Sequence, residues 1–196
     1  MENIYLKIWK LAKPHYKKGR PYDIAHIEWM MKESEKVAEK ENFDKKLLMP
    51  ISILHDVGYS VVEKKNMDKK RQEIKKIHMK EGAKISREIL EKVGYQKDYT
   101  QKIVHYISVH DNWVFGDNSP FKECKEMAVF NDLDFLWVAK DIDNFERIAK
   151  AKKMTPKELY KFLVKNEKLV ERPLCCDYTK NIWERFKKKL KKSLRI

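Results

Sequence analysis

Ile53-Leu54-His55-Asp56-Val57-Gly58-Tyr59 is an apolar run that delivers a neighbouring imidazole and carboxylate just before a glycine. Leu47, Leu48, Ile51 and Leu54 recur at helical spacing ahead of it, so this helix is expected to run through a core. Adjacent side chains on a regular helix point about 100° apart. His55 and Asp56 therefore converge on one point only where the helix ends, and Gly58 is the expected stop. A buried carboxylate is costly unless hydrogen-bonded or metal-bound. Asp44 is placed to cap the start of this helix, and Pro50 within it removes an N–H and predicts a kink.

Three other histidines fall on apolar faces. His26 shares a face with Met30 and Val37 on a helix expected to be capped by Asp23. His78 lines up with Ile74, Gly82, Ile85 and Ile89 on a long helix over 71–93, where Gly82 permits a close approach. His110 follows Ile103 and Ile107 on a helix for which Asp98 and Gln101 form the expected capping pair. His105 lies off that face. Pro14 is expected to close the first helix, leaving His15, Lys17, Lys18 and Arg20 in an exposed basic loop. Residues 111–121 read as a turn-rich loop clipped to the core by its aromatics. Further on, Asp134 shares a face with Phe130, Trp137 and Val138, and Asp132 with Val129 and Leu136. Periodicity leaves the choice between these two aspartates open.

The order His26, His55-Asp56, His78, His110, Asp134 resembles the HD-domain superfamily of metal-dependent phosphohydrolases. The matching pieces are Asp23-Ile24-Ala25-His26, His55-Asp56-Val57-Gly58, His78 ahead of Glu81-Gly82-Ala83, Ile107-Ser108-Val109-His110, and Asn131-Asp132-Leu133-Asp134-Phe135-Leu136. The last is similar to the family's Asp-Ala-Asp-Arg/Lys-Leu segment, with Phe135 at the basic position. The resemblance spans roughly residues 20 to 140. It implies His26, His55, Asp56 and Asp134 as ligands of a divalent transition metal (Mn, Fe, Co, Ni or Zn), with Asp56, His78 and His110 in catalytic roles and Asp132 orienting a histidine. It implies hydrolysis of a nucleotide or another small phosphorylated metabolite. One tightly bound ion with His78 and His110 beside the substrate is the expectation, and a second ion bridged by Asp56 is the alternative. HD-type di-iron oxygenases share the same six-residue order and stand as a second activity.

The composition agrees with an all-α class. The chain has 196 residues, only five glycines and six prolines, and no alternating strand pattern bounded by turns. One domain is expected over 1–196, an HD-type helical bundle with its metal-binding core at about 20–140 and C-terminal helices at about 156–195 packing on it. Thr155-Pro156-Lys157-Glu158 is a capping box that opens a helix to about 170. A basic amphipathic helix follows from Tyr178, with Ile182, Trp183, Phe186, Leu190 and Leu194 on one side. Three cysteines without metal-type spacing suit a reducing compartment. Charged residues among the first apolar ones argue against a signal peptide or membrane span, so a cytoplasmic location is expected. The net charge of +14 favours anionic partners. Lysines at 64–70, in the polar loop after the His-Asp pair, are expected to hold substrate phosphate. A non-catalytic, nucleic-acid-binding role for the basic surface is the remaining alternative; oligomeric state is open.

Overall fold

The structure, a computed structural model, describes residues 2–62, 71–165 and 173–196. Lys64 and Lys65, with the rest of 63–70, lie outside the described residues, as does the expected end of the helix over 156–170. Among the described residues the protein is all-helical, as expected, and contains no strand. No helix among them is long and apolar enough to cross a membrane. The chain separates into two compact units, Met1–Phe130 and Asn131–Ile196.

In the first unit, α1 (Asn3–Gly19), α2 (Asp23–Glu41) and α3 (Lys45–Leu54) lead into a 3₁₀ turn, Val57–Val61. α4 (Arg71–Lys92) and α5 (Lys97–Val109) follow, then a second 3₁₀ turn, Asn112–Phe115, the short α6 (Ser119–Glu123) and the start of α7 (Lys125–Trp137). α3 is the hub. Leu48, Met49, Ile51, Ile53 and Leu54 are fully buried, and α3 packs on α1, α2 and α5. The Asp44 side chain accepts from the Lys46 N–H, as expected of the cap. Tyr99 donates to the other Asp44 oxygen at 2.7 Å, while Ser34 and Ser52 join α2 to α3 at 2.8 Å.

Several local expectations are corrected. Pro14 does not end the first helix, which continues to Gly19. One lost backbone bond is outweighed by what the extra turn buries: Tyr16 is 1% exposed and donates to the Ile53 carbonyl at 2.8 Å. His15 is consequently half-buried against Ser60 Oγ, 3.2 Å away, and not on an exposed loop. Asp23 is the first helical residue, preceded by Tyr22 at the cap, because its carboxylate turns back to Arg20. α5 begins at Lys97 with Gln96 at the cap and no side-chain cap bond, so Asp98 and Gln101 do not form the expected pair. The turn-rich 111–121 segment is more regular than a loop, holding a 3₁₀ turn and the start of α6.

Gly58 has a different role from the expected stop. α3 has already ended at Leu54, and Gly58 is not among the left-handed glycines, which are Gly94 and Gly116. Its role is proximity: a Cβ there would collide with the His78 carbonyl and stand 2.6 Å from the Gly82 nitrogen. The 3₁₀ turn is thus pressed backbone to backbone on α4.

In the second unit, the end of α7 is followed by α8 (Ile142–Ala151), α9 (Pro156–Val164) and a C-terminal helix, Asp177–Leu194. The expected capping box forms, with Thr155 N–H donating to Glu158 Oε2 at 2.7 Å. Ile182, Trp183, Phe186 and Leu190 are buried, and Trp183 packs on Phe135 with ring centroids 5.3 Å apart. That contact accounts for an aromatic at Phe135: its side chain belongs to this core.

Gly58→Ala is expected to cost about 3 kcal/mol, the upper end for overpacking, and to lower the Tm by roughly 6–12 °C. Gly82→Ala, whose Cβ would stand 3.5 Å from its nearest neighbours, should leave the Tm unchanged or raise it. Thermal melts followed by circular dichroism compare the two.

Candidate metal centre

Two helix ends build the site, and they are alike. His55 is the last residue in α-conformation after α3; Asp56 then adopts φ −105°, ψ 6°, and the chain tightens into the 3₁₀ turn. His110 stands in the same place after α5, and Asp111 adopts φ −107°, ψ 13° before the second 3₁₀ turn. This change of winding brings neighbouring side chains to one point, which a continuous helix forbids. His26 and His78 enter from the middles of α2 and α4.

The structure brings five of the expected residues together. His26 and His55 meet edge to face, ring centroids 5.4 Å apart, and His55 and His110 do so at 5.5 Å. Asp56 Oδ1 lies 3.5 Å from His78 Nε2 and 3.6 Å from His110 Nε2. Its Oδ2 is 3.7 Å from His55 Nε2. All five residues are buried. Asp134 lies half-buried on α7, one helical turn beyond Phe130; the Phe130 ring itself packs on His55 at 5.0 Å.

The imidazoles are oriented by their own helices. Nδ1 of His55 faces the Ser52 carbonyl at 3.2 Å, that of His78 the Ile74 carbonyl at 3.4 Å, and that of His110 the Ile107 carbonyl at 2.7 Å. A carbonyl only accepts, so Nδ1 donates and the neutral ring presents an Nε2 lone pair to the centre. This is the arrangement that orients metal-binding histidines. His78 Nε2 and His110 Nε2 are 3.2 Å apart, and two lone pairs face each other there unless a proton or a metal ion lies between. Two nitrogens each about 2.1 Å from a metal are separated by about 3.0 Å at an octahedral edge and about 3.4 Å at a tetrahedral one. The donor set therefore fits a divalent transition metal, and one ligand atom from each of Asp56, His78 and His110 lies within 4.8 Å of the others.

Four site residues were not singled out from the sequence. Asp111 is 3% exposed; its Oδ2 lies 3.3 Å from His78 Nε2 and 3.6 Å from His110 Nε2 and is paired with Lys75. Arg20 binds Asp23 at 2.8 Å and reaches Asp56 Oδ2 at 3.7 Å. Tyr59 stacks on His78, centroids 4.3 Å apart, with Arg20 4.2 Å and Lys75 5.7 Å from its ring. The second His-Asp dipeptide, 110–111, was a visible signal for Asp111. Arg20, Lys75 and Tyr59 had none, since their pairings are made in three dimensions.

Electrostatics follow from this packing. Burial would raise the Asp56 carboxyl, but His55, His110 and Arg20 outweigh it and hold it well below the usual range. Asp111 is likewise held low, with Lys75 overcoming burial. Burial pushes His78 down to about 4. In His110 burial is overcome by the hydrogen bond to Asp56, and its pKa is raised. Burial carries Tyr59 up to about 12.

Asp132 makes contacts inside the second unit. Its Oδ2 accepts from the Cys175 N–H and from Thr179 Oγ1, both at 2.7 Å, which ties α7 to the start of the C-terminal helix inside the second unit.

A helical core closed around converging imidazoles and carboxylates defines a domain able to hold divalent cations. The chain belongs to the HD domain family, which it matches over residues 23–159; members of that family are generally metal-dependent phosphohydrolases. No match was found among curated proteins or among solved structures.

Asp132→Ala is expected to lower stability by about 3 kcal/mol, because a buried hydroxyl and N–H lose a charged acceptor. Its metal content should equal that of the wild type, as measured by elemental analysis beside a thermal melt.

Proposed function

We propose that the protein is a metal-dependent phosphohydrolase acting on a nucleotide or another small phosphorylated metabolite. The observation that carries this is the approach of three Nε2 atoms to one buried carboxylate, Asp56, in a chain of the HD family. His26, His55, Asp56 and Asp134 form the first ligand set, with Asp134 assigned by its place in the family order. The 3.2 Å separation of His78 and His110 favours a second ion, which these two residues and Asp56 would hold, over placing both histidines beside the substrate. A divalent ion in such a site lowers the pKa of water and neutralises charge on phosphoryl oxygens.

The chain's own residues supply the rest. Carbonyls one turn back fix the imidazoles, so no reorganisation is needed when an ion or substrate arrives. Arg20 and Lys75 add positive charge beside Asp56 and Asp111, which would attract an anionic group. Tyr59 covers His78 and limits access of bulk water. With Lys64 and Lys65 outside the described residues, phosphate binding by the 64–70 lysines remains part of this proposal and rests on the sequence. The oxygenase alternative shares the same ligand set and separates by iron content and oxygen consumption. The nucleic-acid reading loses support from the C-terminal helix, whose apolar stripe is buried in its own unit.

The test is metal analysis of the purified protein together with a phosphatase and nucleotidase panel under Mn²⁺, Co²⁺, Ni²⁺ and Zn²⁺. His55→Ala and Asp56→Ala should each lose most of the bound metal and lower kcat/KM by about 100-fold or more, with helical content retained. Full metal content and turnover in either variant would overturn the assignment.

A further inference from the structure

We propose that Asp111 is a ligand of the second metal position and that Lys75 is a tethered cation competing with the ion for it. This rests on the two-ion reading above and concerns two residues outside the family's six-residue order.

The repeated helix end makes the case for Asp111. His110-Asp111 copies His55-Asp56 in winding, backbone angles and burial. Each aspartate sits where an α-helix gives way to a 3₁₀ turn, and each sends its carboxylate to the same pair of Nε2 atoms. Asp56 Oδ1 approaches them at 3.5 and 3.6 Å, and Asp111 Oδ2 at 3.3 and 3.6 Å. The two imidazole nitrogens thus have an oxygen of each aspartate within 3.6 Å, and nitrogen and oxygen donors of this kind suit Mn²⁺, Fe²⁺ or Zn²⁺.

The case for Lys75 is charge. Its ammonium contacts the same Asp111 Oδ2 that faces the histidines, and its side chain is only 18% exposed. A lysine nearly buried beside candidate ligands is unusual, because its charge repels an arriving cation. Its stem comes from α4, one turn before His78, so it cannot leave the neighbourhood. When no ion is present, it supplies the positive charge that two buried carboxylates require. When an ion enters, Asp111 must exchange one cation for the other.

The two roles predict opposite signs. Equilibrium dialysis of the full-length protein against Mn²⁺ should show a tight class of site and a weaker one. Lys75→Met should tighten the weaker class at least about fivefold, Lys75→Arg should keep it near wild type, and Asp111→Asn should weaken it at least about tenfold while sparing the tight class. The Lys75→Met/Asp111→Asn double variant should be as weak as Asp111→Asn alone, since the gain requires the carboxylate. Unchanged or weaker Mn²⁺ binding in Lys75→Met, or an unaffected weak class in Asp111→Asn, would overturn this inference. A single tight class in the wild type, indifferent to both substitutions, would also overturn it while leaving a metal-dependent hydrolase standing. No Mn²⁺ bound at all would remove the functional proposal as well.

Discussion

Everything in the first unit answers to one constraint: several imidazole lone pairs and carboxylates are held together away from water. Uncompensated, that concentration of polar groups would open the core. The protein meets the constraint with helix carbonyls behind His55, His78 and His110, cations beside the carboxylates, and a donor geometry at the centre that fits a metal. The packing of α3 at the hub, the extension of α1 past Pro14 and the seating of the 3₁₀ turn on α4 all keep these groups in register. Site and core are therefore one object, and the glycine that lets backbone touch backbone serves both.

Much of this was legible because helical periodicity is a strong signal. His26, His78 and His110 each sat on an apolar face in the sequence, and each is buried. Burial, however, is a property of a face, whereas a site is a property of several faces at once. Arg20 looked like one more basic residue on a loop because the continuation of α1 depends on Tyr16 finding the Ile53 carbonyl, a contact 37 positions away in the chain. Lys75 was indistinguishable from its neighbouring lysines for the same reason. Asp111 was hidden by its turn-rich company, although the dipeptide that drew attention at 55–56 recurs there unchanged.

The two aspartates on α7 show the converse. Periodicity could not separate Asp132 from Asp134. The structure joins Asp132 to Cys175 and Thr179, and gives Phe135 a place against Trp183. A polar residue in a helical core acquires meaning from the element it meets, and that element, a helix some 45 residues further on, leaves no trace in the local pattern.

The anchoring of His55, His78 and His110 by carbonyls of their own helices has an evolutionary consequence. Ser52, Ile74 and Ile107 lie within a turn of the histidines they fix, so segments outside the helices and the two 3₁₀ turns carry none of these three hydrogen bonds. Such segments are free to change length and composition over generations without disturbing the chemistry at the centre. Selection acting on them would alter which molecule is recognised, while the machinery beneath is inherited intact.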